Sequence, residues 1–298
     1  MADGAAADLD PRLTPARPDL AAAHLRGKVT AAQFVEGQAR EVIEAQAPLR
    51  RMPSPEAPLD TEALKGERVT VYETTDEGWC WGQIEDGYVG WLPANALVPE
   101  GPPPTHKVTA LRTIVFPGPS IKLAPAEMLS LGAKVDVAHV KTPFAVTARG
   151  GYIPLVHLAP IAVLEADFVA VAERFLGVPY LWGGKTSLGL DCSGLVQVSL
   201  SAAGIACPRD SDMQERALGS GVDPREKESF RRGDLLFWSG HVGILQDADT
   251  LLHANAFHMA VAAEPLGEAL ARIGSGGNEL RTVRRITAPP RLSARSPD

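Results

Sequence analysis

Cys192 closes a glycine-rich stretch and opens a helical one. Gly183, Gly184 and Gly189 favour turns before it, and Ser193-Gly194-Leu195-Val196-Gln197-Val198 follows with a helical pattern. The thiol is expected on the first turn of a helix. Unpaired backbone N–H groups and the positive end of the helix dipole favour the thiolate there, the form that attacks a carbonyl carbon. Such a nucleophile needs a base within about 3 to 4 Å, and the base needs a third group to fix its tautomer. His241 begins the run His-Val-Gly-Ile-Leu after Ser239-Gly240, and His253 lies in Leu251-Leu252-His253-Ala254. Adjacent antiparallel strands joined by residues 246–250 place both imidazoles on one sheet face, opposite the helix carrying Cys192.

The remaining candidates have plainer readings. A single histidine in a strand is usually structural; only the combination with Cys192 points to chemistry. His258 is an odd number of residues from His253 and would face away on a continuous strand. His24, His106, His139 and His157 lie outside this region. Cys80, between Trp79 and Trp81, and Cys207, before Pro208, read as small buried hydrophobes.

The elements that must position the three residues belong to a chain of ordinary globular composition. Its 298 residues are 45% hydrophobic and 22% charged, enough for two or three packed domains. A net charge of −7 with no basic stripe argues against nucleic acid or an anionic membrane as partner. Three cysteines at these spacings suggest neither a disulfide framework nor a metal site. No segment approaches the roughly 18 apolar residues of a membrane span, and residues 1–30 lack a signal-peptide pattern. A cytoplasmic protein is expected.

In chain order, residues 1–46 read as an extended arm with one or two strands. Residues 47–100 are short β-prone runs cut by turns, with a hairpin at Asp86-Gly87, and they predict a small barrel. Gly101-Pro102-Pro103-Pro104 makes a stiff linker over 101–104. Residues 105–160 repeat the landmarks of the first module. Gly66-Glu67-Arg68-Val69-Thr70-Val71 is echoed by Gly132-Ala133-Lys134-Val135-Asp136-Val137, and Gly87-Tyr88-Val89 by Gly151-Tyr152-Ile153. Leu164, Phe168, Val171, Ala172 and Phe175 form a helical face ending at Gly177. Four strand-like runs follow the Cys192 helix, at 234–238, 241–246, 250–254 and 259–263. Residues 161–288 are therefore expected to form an α+β domain with helices packed on an antiparallel sheet, and 289–298 a disordered tail.

The two barrels resemble bacterial SH3-like domains, through Gly87-Tyr88-Val89-Gly90-Trp91-Leu92 in the first copy; the second has Pro154-Leu155 where the Gly-Trp pair would be. Four motifs in the last domain resemble the NlpC family of cell-wall cysteine peptidases. They are Pro179-Tyr180-Leu181-Trp182-Gly183-Gly184, Gly189-Leu190-Asp191-Cys192-Ser193-Gly194, Pro208-Arg209-Asp210-Ser211, and Gly233-Asp234-Leu235-Leu236-Phe237 followed by Gly240-His241-Val242-Gly243-Ile244. The resemblance implies a minimal papain-like fold and cleavage of peptidoglycan stem peptides without cofactor or metal. It makes Cys192 the nucleophile, His241 the base and then acid, His253 the polar third member, and Tyr180 an oxyanion donor beside the Cys192 N–H.

Two SH3-like modules before such a domain resemble the branch that recycles cell-wall peptides. Its members are γ-D-glutamyl-L-diamino acid endopeptidases that require a free N-terminal L-Ala, as in a murein tripeptide. Asp210 and Ser211 match the catalytic-domain part of that amine pocket, Asp191 and Ser193 line the site, and the first barrel is expected to supply Tyr88 and Glu56, with Asp60 or Glu73 as alternatives to Glu56. Trp182 is expected to pack against the barrel. An amidase or acyltransferase acting on glycan-linked stems, or a non-catalytic wall-binding protein, would share parts of this pattern.

Overall fold

The computed structural model describes residues 9–287. The expected tail at 289–298 lies outside these residues. By its contacts the chain divides into two compact units: Met1–Leu164 with Leu181–Asp191, and Glu165–Tyr180 with Cys192–Asp298. The division interrupts the sequence order twice, because the loop before the cysteine is counted with the barrels.

The first unit holds both barrels. The leading one is a seven-stranded antiparallel sheet in the order Leu59–Leu64, Gln46–Arg50, Val89–Pro93, Trp79–Ile84, Arg68–Thr74, Gln38–Val42, Leu97–Pro99. Alternation drives it: along Gln46–Arg50 only Ala47 and Leu49 are fully buried, and Val69, Val71, Ile84 and Leu92 on other strands of the sheet are buried as well. Gly90 is needed for this closure, since a Cβ there would lie 2.3 Å from Leu49 Cδ2. Gln38–Val42 pairs with Arg68–Thr74, so the barrel begins earlier than residue 47. The preceding arm is tied to it as well. Gln83 Nε2 donates to Leu13 O at 2.9 Å, and the Arg17 guanidinium lies 4.3 Å over Trp81 while pairing with Glu73 at 2.6 Å.

The second barrel repeats the plan in three smaller sheets around Val108, Val115, Leu129, Ala133, Val135 and Ile153. In each copy a strand (Val89–Pro93; Tyr152–Pro154) runs into one 3-10 turn (Ala94–Ala96; Leu155–His157) and a short closing strand (Leu97–Pro99; Leu158–Pro160). The linker is pinned rather than loose: Arg68 Nη2 donates to Gly101 O and Pro102 O at 2.9 and 3.0 Å.

The second unit is α+β. Helix α1, Phe168–Glu173, is shorter than its apolar face suggested, and Leu164 is exposed. Asp167 sets its start by accepting from Val169 N at 2.9 Å, an N-cap that leaves Leu164 outside the helix. Arg232 then pairs with Asp167 and Glu173 at 2.8 and 2.7 Å. Helix α2, Cys192–Ala202, is buried along its first nine residues. It packs against α1 and against the strands His241–Leu245 and Thr250–Asn255. Helices α3 (Ser211–Ala217) and α4 (Leu266–Ser275) complete the layer.

The six strands are antiparallel, in the order Ser220–Val222, Thr282–Arg285, Asp234–Trp238, His241–Leu245, Thr250–Asn255, Ala260–Pro265. Leu236, Trp238, Leu245, Leu251 and Val283 pack with Leu266 and Ala269 of α4. Thr282–Arg285 and α4 had no counterpart in the sequence reading. Arg285 bonds Asp234 in bidentate fashion at 2.7 and 2.6 Å, which ties this polar strand in place between Ser220–Val222 and Asp234–Trp238. No helix among the described residues is long and apolar enough to cross a membrane.

Candidate active site

Cys192 is the first residue of α2, 7% exposed, and one of three cysteines that form no disulfide. Its helix packs against the two strands that carry the histidines. His241 opens its strand opposite Trp238, whose ring lies tilted at 39° to the imidazole with 5.5 Å between centroids. Neighbouring strands pair Ile244 with Leu252 and Leu245 with Leu251, so His241 and His253 are diagonal neighbours on one face. Gly243 keeps that slot open: a Cβ would lie 2.7 Å from Leu251 Cδ1 and 3.3 Å from His253 Cβ.

The imidazoles are bonded. His241 Nε2 lies 2.8 Å from His253 Nδ1, and His253 Nε2 lies 2.7 Å from Glu264 Oε1. Arg272, on α4, also bonds Glu264 Oε1. Pairing of Leu251 with Glu264 and His253 with Ala262 brings Glu264 onto the same face of the third strand. The polar third member therefore has a fourth behind it, which the sequence reading missed. In the sequence the strand-like run stops at Ala263, one residue short of Glu264, whereas the strand continues to Pro265.

The tautomers follow from these contacts. A carboxylate held by Arg272 only accepts, so His253 Nε2 carries the proton. His253 Nδ1 is then bare and accepts from His241 Nε2–H. His241 Nδ1 is left with a free lone pair, the form a general base requires. Burial keeps both rings neutral. It pushes His241 from 6.5 down to about 3, with His253 and Arg272 adding to the effect and Glu264 opposing it. It pushes His253 down to about 3 as well, with Arg272 and His258 contributing. When His241 takes up a proton, its charge is met through His253 by the Glu264 carboxylate.

Tyr180 is held beside this hairpin by backbone. Gly177 N donates to Val261 O, Val261 N to Val178 O and Tyr180 N to Met259 O, each at 2.9 Å. The Ser193 hydroxyl accepts from Arg209 Nη1 at 2.8 Å, and both residues are buried. Gln214, fully buried on α3, donates to Ser193 O and Pro208 O, each at 2.9 Å. Asp210 is the N-cap residue of α3 and Ser211 its first residue. Gln214 and Arg209 thus staple the start of α2 to the segment bearing Asp210 and Ser211. His258 lies past the end of its strand, on the turn from 256 to 259, so the parity that would have turned it away does not apply. Its N and Nδ1 lie 2.8 and 3.0 Å from Asn255 Oδ1.

The remaining candidates belong to the first unit. Asp191 Oδ2 accepts from Gly183 N at 2.8 Å inside the loop 181–191. This loop is clamped by both barrels. Lys185 N donates to Glu62 Oε2 at 2.9 Å, and Lys185 Nζ lies 3.2 Å from Glu67 and 3.8 Å from Asp86. Ser187 N donates to Ser130 Oγ at 2.7 Å, and Arg112 Nε to Ser187 Oγ at 3.1 Å. Burial raises the Glu67 carboxyl, with Lys185 pulling it back. Tyr88 is buried in the barrel, its N bonded to Asp86 Oδ1 at 3.1 Å. Glu56 is not among the acids at this loop; it is exposed and accepts from Ser54 Oγ. Asp60 pairs with Arg51 and Glu73 with Arg17, so the carboxylates that meet the loop are Glu62, Glu67 and Asp86. Trp182 is 67% exposed rather than packed. A cavity of about 580 Å³ between the barrels, walled by Val115, Phe116, Leu129 and Ile153, contains none of these residues.

Comparison with known proteins gives matches to both parts. The bacterial dipeptidyl-peptidase SH3 domain model matches residues 49–97, and the NlpC/P60 family model matches residues 177–271. The chain is 26% identical over 243 residues to a γ-D-glutamyl-L-lysine dipeptidyl-peptidase of Bacillus cereus, covering 70% of this chain and 71% of that one. It is 28% identical over 219 residues to the Bacillus subtilis protein of the same name, covering 66% and 72%. To dipeptidyl-peptidase 6 of Lysinibacillus sphaericus it is 26% identical over 238 residues, covering 72% and 86%. A solved NlpC/P60 family protein from Bacillus cereus shares the fold, with a TM-score of 0.70 at 23% identity over 85% of this chain and all of that one.

Proposed function

This chain is a papain-like cysteine peptidase of the NlpC/P60 family with a bacterial SH3 domain ahead of it, and from that premise we propose its substrate. It hydrolyses the bond between γ-D-Glu and the following L-diamino acid in peptidoglycan stem peptides that carry a free N-terminal L-Ala. It does so in the cytoplasm, on peptides recovered from the wall. The relatives named γ-D-glutamyl-L-lysine dipeptidyl-peptidase support the bond; a dipeptide released from the amino end is what their name describes.

The observation that carries the chemistry is the chain of bonds His241–His253–Glu264. His241 Nδ1 takes the proton of the Cys192 thiol, and the thiolate attacks the γ-carbonyl carbon of D-Glu. The Cys192 N–H and Tyr180 meet the oxyanion, a contact of a kind often worth about 3 to 4 kcal/mol of barrier. The C–N bond breaks as Nδ1 returns its proton to the leaving amine, giving a thioester. Water, deprotonated by the same nitrogen, then frees L-Ala-γ-D-Glu. Asp210 and Ser211 are the groups offered to the substrate's ammonium, because a pocket ending in carboxylate and hydroxyl leaves them unpaired beside a blocked amine.

Mass spectrometry of a digest of L-Ala-γ-D-Glu-diaminopimelate tests this. Release of L-Ala-γ-D-Glu is expected, and Cys192→Ala is expected to abolish it. Equal cleavage of the N-acylated peptide would end the free-amine requirement and leave an amidase acting on linked stems.

A further inference from the structure

We propose that His253, His258 and Glu264 form a binding site for a divalent transition-metal ion, best matched by zinc, whose occupancy switches the peptidase off from behind the base. The proposal concerns regulation of the site described above and rests on His241 being the base.

One ligand atom from each residue can be chosen so that all lie within 4.8 Å of one another. Two imidazoles and a carboxylate are a zinc donor set, and bonds of about 2.0 to 2.2 Å in a tetrahedron put ligand atoms about 3.3 Å apart. The 2.7 Å contact between His253 Nε2 and Glu264 has to open slightly, and His258 has to close in. His258 can do so from an exposed turn. The group that would orient it is already present: Nδ1 lies 3.0 Å from Asn255 Oδ1, which fixes the ring with Nδ1–H donating and Nε2 bare. His253 is buried at 1% exposure and Glu264 at 9%, so the ion bridges the surface turn and the inner end of the relay. Arg272 competes for Glu264, which makes this a weaker site than a dedicated structural zinc.

The effect on the base follows by moving protons and no electrons. Zinc takes the lone pair of His253 Nε2, so the proton on that nitrogen shifts to His253 Nδ1. That nitrogen now donates to His241 Nε2, whose own proton moves to His241 Nδ1. Each ring keeps one proton, but His241 presents N–H instead of a lone pair to the thiol. The base is disabled without metal at the cysteine.

Calorimetric titration of the Cys192→Ala protein with zinc chloride tests the site independently of turnover. One ion per chain is expected, and His258→Ala in the same background should weaken binding at least about tenfold. No binding, or unchanged binding in the His258 variant, overturns the site. Histidine-selective ¹⁵N NMR of Cys192→Ala should show the His241 proton moving from Nε2 to Nδ1 on zinc addition; an unmoved proton overturns the switch. In turnover assays, inhibition of His258→Ala by zinc, taken relative to its own metal-free rate, should weaken by the same factor. Inhibition as strong as in the unaltered enzyme would place the effect at Cys192 and overturn the proposal. If the protein cleaves none of the peptides tested, the substrate assignment fails while calorimetry and NMR still decide the site.

Discussion

At the scale of single residues, Glu264 is the group whose removal should be most informative. It sets the direction of every proton in the relay, so Glu264→Gln, which can present its amide N–H₂ to His253, allows the opposite tautomer. A fall of about 10- to 100-fold in kcat with little change in KM is expected from steady-state kinetics, in keeping with general-base contributions of 10² to 10⁴. An unchanged kcat would mean that the carboxylate only packs. The buried histidines also fix a pH dependence. Their folded values of about 3 lie below the ordinary 6.5, so the unfolded chain binds more protons between those limits. Their contribution to stability is complete above about 6.5 and is lost as pH falls toward 3. The melting temperature of the second unit should drop over that interval, and His241→Asn with His253→Asn should flatten the slope. Cys192, His241 and His253 stand out in the sequence because each is marked locally, Cys192 by a loop-to-helix change and the histidines by the apolar strand-like runs that carry them. Glu264 is marked by nothing local; only the register of a third strand brings it to His253.

At the scale of elements, the loop 181–191 depends on residues far away in sequence. Lys185 Nζ is buried against Glu67. Deleting one partner of a buried pair leaves an uncompensated charge, at about 3 to 5 kcal/mol, whereas replacing both with apolar groups is often neutral. Lys185→Met should therefore lower the denaturation midpoint sharply, and Lys185→Met with Glu67→Leu should recover most of it; a double variant no better than the single would show that the pair is not the source. The sequence points to Glu56 for the barrel's acid, whereas the carboxylates at the loop 181–191 are Glu62, Glu67 and Asp86. Glu62 lies in the strand Leu59–Leu64, where Thr61, Glu62, Ala63 and Leu64 are all buried, so the alternation that separates inside from outside is absent. The tandem barrels were readable because a repeated order of landmarks survives divergence. The strand Thr282–Arg285 was not, since only Val283 in it is fully buried.

For the whole molecule, the order of contacts differs from the order of sequence. A boundary near residue 160 is visible in composition, but the loop 181–191 is counted with the barrels, and its ties run to Glu62, Arg112 and Ser130. Cleavage at the exposed Val163-Leu164 should thus leave the two fragments associated under native conditions on gel filtration. Their separation would show the loop contacts to be dispensable.

The same return of the chain bears on how such a protein can be rearranged. A module joined through one peptide bond can be traded by a single recombination event, but one that lends its neighbour a segment cannot. A chimera placing this peptidase behind another lineage's barrels has to import Glu62, Glu67, Arg112 and Ser130 along with it, so the heritable unit of exchange is the whole assembly.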